Sequence, residues 1–99
     1  MTNSIHPHQP VLISKEEISG LHFPNHEVLS CKDAILLRHT NLENALKLGN
    51  IENHKIKIIF QDNQGLKQVE TTIWGVTDKR VILKQGVLIP ISCIHEVRL

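Results

Sequence analysis

The sequence predicts a mainly β domain of α+β type: a small five-stranded antiparallel barrel over residues 55–99, preceded by one or two helices over residues 31–48 and an irregular arm over residues 1–30. Three observations carry this. From Lys55 the apolar period becomes two, with Ile56, Ile58 and Phe60 on one side of an extended segment. Turn-forming residues then punctuate the chain every few positions, at Asp62-Asn63-Gln64-Gly65, Thr77-Asp78-Lys79 and Gln85-Gly86. Before Lys55, Leu42, Ala45 and Leu46 follow helical spacing.

The arm contains Pro7, Pro10 and Pro24, which interrupt any long element, and Ser14-Lys15-Glu16-Glu17 fits a capping box opening a short turn before Gly20. Ser30-Cys31-Lys32-Asp33 and Thr40-Asn41-Leu42-Glu43 are two further helix-start signals, with Gly49 placed to end the helix in a left-handed conformation. Arg38 interrupts the stripe joining Ile35 to Leu42, so either one rod or two short helices fits. Beyond the first strand, Val69, Thr71 and Ile73 alternate with Glu70, Thr72 and Trp74; Val81-Ile82-Leu83 and Val87-Leu88-Ile89 complete a four-stranded meander. Pro90 denies the ladder a donor, and Ile91, Ile94 and Val97 are spaced by three, which predicts one helical turn at 92–94 before a last strand reaching Leu99. The expected core is Ile56, Ile58, Phe60, Val69, Ile73, Val81, Leu83, Ile89, Ile91, Ile94 and Val97. Short twisted strands expose apolar edges unless they curl into a barrel, with the helix over one open end.

This order of elements, with Ile56 to Phe60, Val81 to Leu83 and Ile91-Ser92-Cys93-Ile94, resembles the SH3-like small barrels, and the Sm-like ones in particular, over residues 41–99. The strings Val69-Glu70-Thr71-Thr72-Ile73-Trp74, Val81-Ile82-Leu83-Lys84 and Ile89-Pro90-Ile91 also look like those of small bacterial proteins for which no activity is implied. The resemblance implies a fold, with nucleic-acid binding as one use of it.

Composition bounds the function. The 99 residues carry 11 Lys and Arg against 10 Asp and Glu and are 40% apolar, which excludes a disordered polyelectrolyte. No apolar run is long enough to span a bilayer and no signal peptide is evident, so a soluble cytoplasmic protein with no membrane contact is expected. Cys31 and Cys93 are too few for a disulfide framework and are read as free thiols. No nucleotide-binding glycine loop or metalloprotease motif is present, so no cofactor is expected.

Seven histidines are the most unusual feature. His6, His8, His22, His26, Cys31 and His39 offer zinc-type ligands, but Pro24 breaks the i, i+4 relation of His22 and His26, and solvated histidines are the plainer reading. Cys93 and His95 fall on one side of an extended strand, a geometry that a thiol nucleophile and its base require. Nothing nearby supplies an orienting group or oxyanion donors, and Cys93 reads better as a small core residue.

Residues 55–99 hold seven Lys and Arg against four Asp and Glu, a net of 7 − 4 = +3. Lys55, Lys57, Lys79, Arg80 and Lys84 are available for phosphates, and Trp74 is the one candidate stacking platform, unless it is a lid packed under the helix. Ile59, Val76, Ile82 and Leu88 are apolar in the outward phase and mark a partner surface, while the strand ending at Leu99 offers an edge for strand addition and self-association. The expected function is a non-enzymatic binding or assembly module acting through the barrel surface around Trp74, with RNA or DNA binding second and a metal-dependent role of the N-terminal histidines third.

Overall fold

A computed structural model describes residues 9–99. The elements run β1 (Val11–Leu12), a 3-10 helix (Lys15–Gly20), α1 (Lys32–Glu52), β2 (Ile56–Asp62), β3 (Gly65–Thr71), β4 (Ile73–Val76), β5 (Arg80–Leu83), a 3-10 turn (Lys84–Gly86), β6 (Leu88–Pro90), a second such turn (Ile91–Cys93) and β7 (Ile94–Arg98). The expected five-stranded SH3-like or Sm-like barrel is not formed. The strands make two open sheets, one of order β1-β3-β2-β7 and one of order β4-β5-β6.

The reason lies at Thr72. The alternation predicts a single strand over Val69 to Trp74, but β3 ends at Thr71 and β4 begins at Ile73, with the buried Thr72 between them. Thr72 leaves the ladder: its hydroxyl donates to the Asn53 carbonyl at 3.2 Å, and its own carbonyl accepts the Lys84 N–H at 2.9 Å. The chain turns a corner there and enters the second sheet. The other crossing is the 3-10 turn at Ile91–Cys93, after which β7 pairs with β2 rather than with β6.

Helix α1 is one rod, running through Thr40 and past Gly49 to Glu52, and Asn53 rather than Gly49 takes the left-handed C-terminal position (φ 53°). Gly49 serves a different need. A Cβ at that position would lie 2.6 Å from the Ile73 carbonyl oxygen, so only glycine lets the helix approach β4 this closely. In the arm, the Glu17 carboxylate accepts the Ser14 N–H at 2.8 Å, as the capping-box spacing requires, and Ile18 of the 3-10 helix is buried in the core.

The core lies between the two sheets and α1. Every expected core residue is fully buried except Ile91, which packs at its margin, and Ile18, Leu42, Ala45 and Cys93 join them. Two bulges correct the outward phase. Between Ile73 and Gly75 the register with β5 slips by one, so Val76 turns inward against the core. Between Ile94 and Glu96 the register with β2 slips likewise, so His95 is the extra residue and both Ile94 and Val97 point inward. Ile59 is also buried, and of the four expected outward residues only Ile82 and Leu88 remain on an accessible face. Among the described residues no helix is long and apolar enough to cross a membrane.

Replacing Gly49 by alanine gains about 1 kcal/mol of helix propensity but forces overlap with a backbone carbonyl, an overpacking cost of about 1–3 kcal/mol. A net loss of stability is expected in urea denaturation of Gly49→Ala; stability at or above that of the parent would show that α1 can withdraw from β4.

Candidate functional site

The sequence-derived site residues divide between the two sheets. Lys55 immediately precedes β2 and Lys57 lies on it in the four-stranded sheet, where Lys57 stands between Glu70 and Arg98 across the ladder, so its charge lies beside one of each sign. Trp74, Lys79, Arg80 and Lys84 belong to the three-stranded sheet and its turns. All six are exposed.

The outer face of the three-stranded sheet is set by register. Ile82 stands opposite Gly75 on one side and Leu88 on the other, and Arg80 stands opposite Pro90, so these residues share a face. The bulge at Ile73/Gly75 places both Trp74 and Gly75 against Ile82 on that face. Trp74 is 52% exposed and Leu88 47%, so the indole is no lid under α1. Gly75 leaves room that Ile82 uses, since a Cβ there would meet the Ile82 Cδ1 at 3.3 Å. An exposed Trp74 and Leu88 and a half-buried Ile82 thus share this face, flanked by Arg80.

Next to this face an open groove of about 600 Å³ runs between the arm and β6, lined by Phe23, Pro24, Asn25, Lys79, Arg80, Leu88, Pro90 and Ser92. Its walls are fixed. The Phe23 ring packs on Phe60 with centroids 5.9 Å apart, the Cys93 thiol donates to the Pro24 carbonyl at 3.4 Å, and the Val28 N–H donates to the Ser92 carbonyl at 2.9 Å. Opposite, the Thr77 hydroxyl accepts the Arg80 N–H at 2.9 Å, and the Lys79 carbonyl accepts the Ile91 N–H at 2.9 Å.

A second cluster surrounds Arg38. Its guanidinium, 5% exposed, donates to Glu27 at 2.7 Å and to the Ile94 carbonyl at 2.9 Å. The Arg38 hydrogen bonds hold the Glu27 carboxyl below its usual range against the opposing effect of partial burial. Cys93 and His95 do not share a face, because Cys93 sits in the 3-10 turn and His95 on the bulge. Burial raises the Cys93 thiol above its ordinary value, and the ring of His95 bonds Gln61 at 2.8 Å. The thiol and the imidazole have different partners, and Cys93 is the small core residue that its type suggests.

Cys31 is exposed at the N-terminal end of α1, and His39 faces Glu43 across one helical turn at 3.6 Å. Among the described residues no three of His, Cys, Asp and Glu gather as a metal site; His6 and His8 lie outside them.

The β7 edge is not free for strand addition: Arg38 occupies the Ile94 carbonyl, and the Asn41 amide donates to the Val97 carbonyl at 3.3 Å. The groove and the Arg38 cluster were both missed in the sequence, the first because its walls come from segments about sixty residues apart, the second because a lone Arg in an apolar stripe reads as an interruption.

Arg38→Met should cost roughly 3 kcal/mol, since it leaves a buried carbonyl and a carboxylate without their donor. The pH dependence has two windows. Burial, then the Arg38 charge, lowers His95 below its ordinary 6.5, so the unfolded chain takes up the proton first and stability falls as pH drops from 6.5 towards the lower folded value. Glu27 contributes fully above 4.5 and its contribution is lost as pH falls through its depressed value. Denaturation midpoints against pH should show His95→Gln flattening only the upper window and Glu27→Gln only the lower; parallel curves for parent and variants would contradict this. No family model matches the sequence, and comparisons with curated proteins and with solved structures find no match.

Proposed function

We propose that this protein is a non-enzymatic binding module acting through the outer face of the three-stranded sheet. The carrying observation is the bulge that holds Trp74 half in solvent beside Ile82 and Leu88. A tryptophan is the commonest energetic anchor of a protein interface, and covering the exposed half of one is worth about 2 kcal/mol. An apolar cluster on a rigid sheet, rimmed by Arg80 and Lys84, has the anatomy of a contact surface with a dry centre and a polar rim. Nothing around Cys93 or His95 competes as a reaction centre: the thiol is kept protonated by burial and bonded to a carbonyl.

Nucleic-acid binding is the second reading, favoured by Trp74, Arg80 and Lys84 lying on one sheet. Against it, Lys55 and Lys57 fall on the other sheet, and one indole is a short stacking platform.

A photo-crosslinking amino acid placed at position 74, with position 44 on the exposed side of α1 as control, should give a discrete protein adduct in cells from the first and none from the second. Trp74→Ser should change stability by less than about 1 kcal/mol, as an exposed position allows, while weakening the interaction at least about tenfold. Adducts equal at both positions, or retention of oligonucleotides that falls steeply between about 50 and about 200 mM salt, would overturn the protein-binding reading, the latter in favour of phosphate contacts.

A further inference from the structure

We infer that the groove along β6 takes an extended acidic peptide segment, which exchanges main-chain hydrogen bonds with Leu88 and sets a carboxylate on Arg80 and Lys79. This rests on the binding-module reading and names the partner's chemistry.

Three observations converge. The first is charge. The groove's lining includes Lys79 and Arg80 and no carboxylate, and among the described residues neither side chain has an ion-pair or hydrogen-bond partner. Bonds from their backbone N–H groups to the Thr77 hydroxyl hold the main chain from which both side chains project. An anion is the complementary charge, and Arg matches a carboxylate with two parallel donors.

The second is main-chain chemistry. The bonds from Ile91 N–H to the Lys79 carbonyl and from Leu83 N–H to the Val87 carbonyl fix which residues of β6 face β5. By that alternation Ile89 faces β5, and Leu88 directs both its N–H and its carbonyl away from the sheet, towards the groove. Neither group has a partner among the described residues. An extended peptide supplies a matching acceptor and donor from one residue, as in strand addition at a sheet edge. Pro90 and the 3-10 turn behind it confine this pairing to one position.

The third is continuity and shape. Past Phe23 and Leu88 the groove runs into a second hollow whose walls include Leu21 and Val87 and carry no charge. The whole is apolar at one end and basic at the other. A fatty acid shares that polarity, but the trough is open along its length and would leave the acyl chain in water, whereas a peptide presents its own polar side outward. A nucleic acid would find phosphate partners at one end only and, inside the trough, a single half-buried aromatic ring, that of Phe23.

The test uses the full chain and a pool of fluorescein-labelled peptides of about eight residues, glutamate alternating with apolar residues, against the same pool with lysine in place of glutamate. Anisotropy should show the acidic pool binding at least about tenfold more tightly, Arg80→Glu reversing that preference, and backbone N-methylation of the acidic peptides abolishing binding. Amide shifts should centre on Leu88, Arg80 and Asn25. Absence of binding by the acidic pool, equal binding of both pools, undiminished binding after N-methylation, tighter binding of oligothymidine, or saturation of the groove by dimerisation would each overturn the inference. Shifts confined to Trp74 and Ile82 would overturn it while leaving the binding-module reading intact.

Discussion

One guanidinium holds the architecture together. Arg38, in the N-terminal third of α1, bonds the carbonyl of Ile94 on β7 and the carboxylate of Glu27 in the arm, joining three parts of the chain that share no backbone ladder. One helical turn on, Asn41 bonds the carbonyl of Val97, and two to three turns further Gly49 lets the same helix touch the Ile73 carbonyl of β4. The helix therefore lies along the exposed edge of one sheet and the exposed edge of the other. A sheet edge is a row of unpaired polar groups that must be closed, paired or covered. Closing the strands into a barrel is one solution; here the cover is a helix.

Covering two edges leaves β6 as the open edge of the three-stranded sheet, shortened to three residues and blunted by Pro90. The arm does not pair with it but stands off, held by Phe23 on Phe60, by the Cys93 thiol on Pro24 and by Glu27 on Arg38. The groove is the space between. The Arg38–Glu27 ion pair fastens the arm to α1, so the arm wall of the groove and the core are linked through it. The bulge that turns Val76 inward is also what presents Trp74 outward, which ties the exposed indole to core packing rather than to a mobile loop.

Much of the sheet was legible because burial on one face imposes alternation: Ile56, Ile58 and Phe60, or Val81 and Leu83, have one arrangement that hides them. What alternation does not encode is where the ladder breaks. Thr72 carries the strand propensity of its neighbours, and only its bonds to Asn53 and Lys84 show it as a corner, so two open sheets read as one barrel. The two bulges are equally silent: one reverses the face of Val76 beyond it, and the other takes His95 itself out of the alternation. Arg38 left the continuity of the helix open because a charge on an apolar stripe is unfavourable unless paired, and its partners lie 11 and 56 positions away. Gly49 was read as a stop for the same reason: the close neighbour that requires it is on β4. Of the candidate site, the residue types at Trp74, Arg80 and Lys79 were visible, and their separation from Lys55 and Lys57 was not.

The division of edges into covered and open is tested most directly by native-state hydrogen exchange at single residues. Leu88 and Ile89 are adjacent on β6 and face opposite ways, so the Leu88 amide should exchange almost as fast as in an unstructured chain, while that of Ile89 and those of α1 around Arg38 should exchange only through global unfolding. A Leu88 amide as protected as that of Ile89, or α1 exchanging independently of the sheets, would contradict a helix that seals the β4 and β7 edges and leaves the β6 edge for a partner.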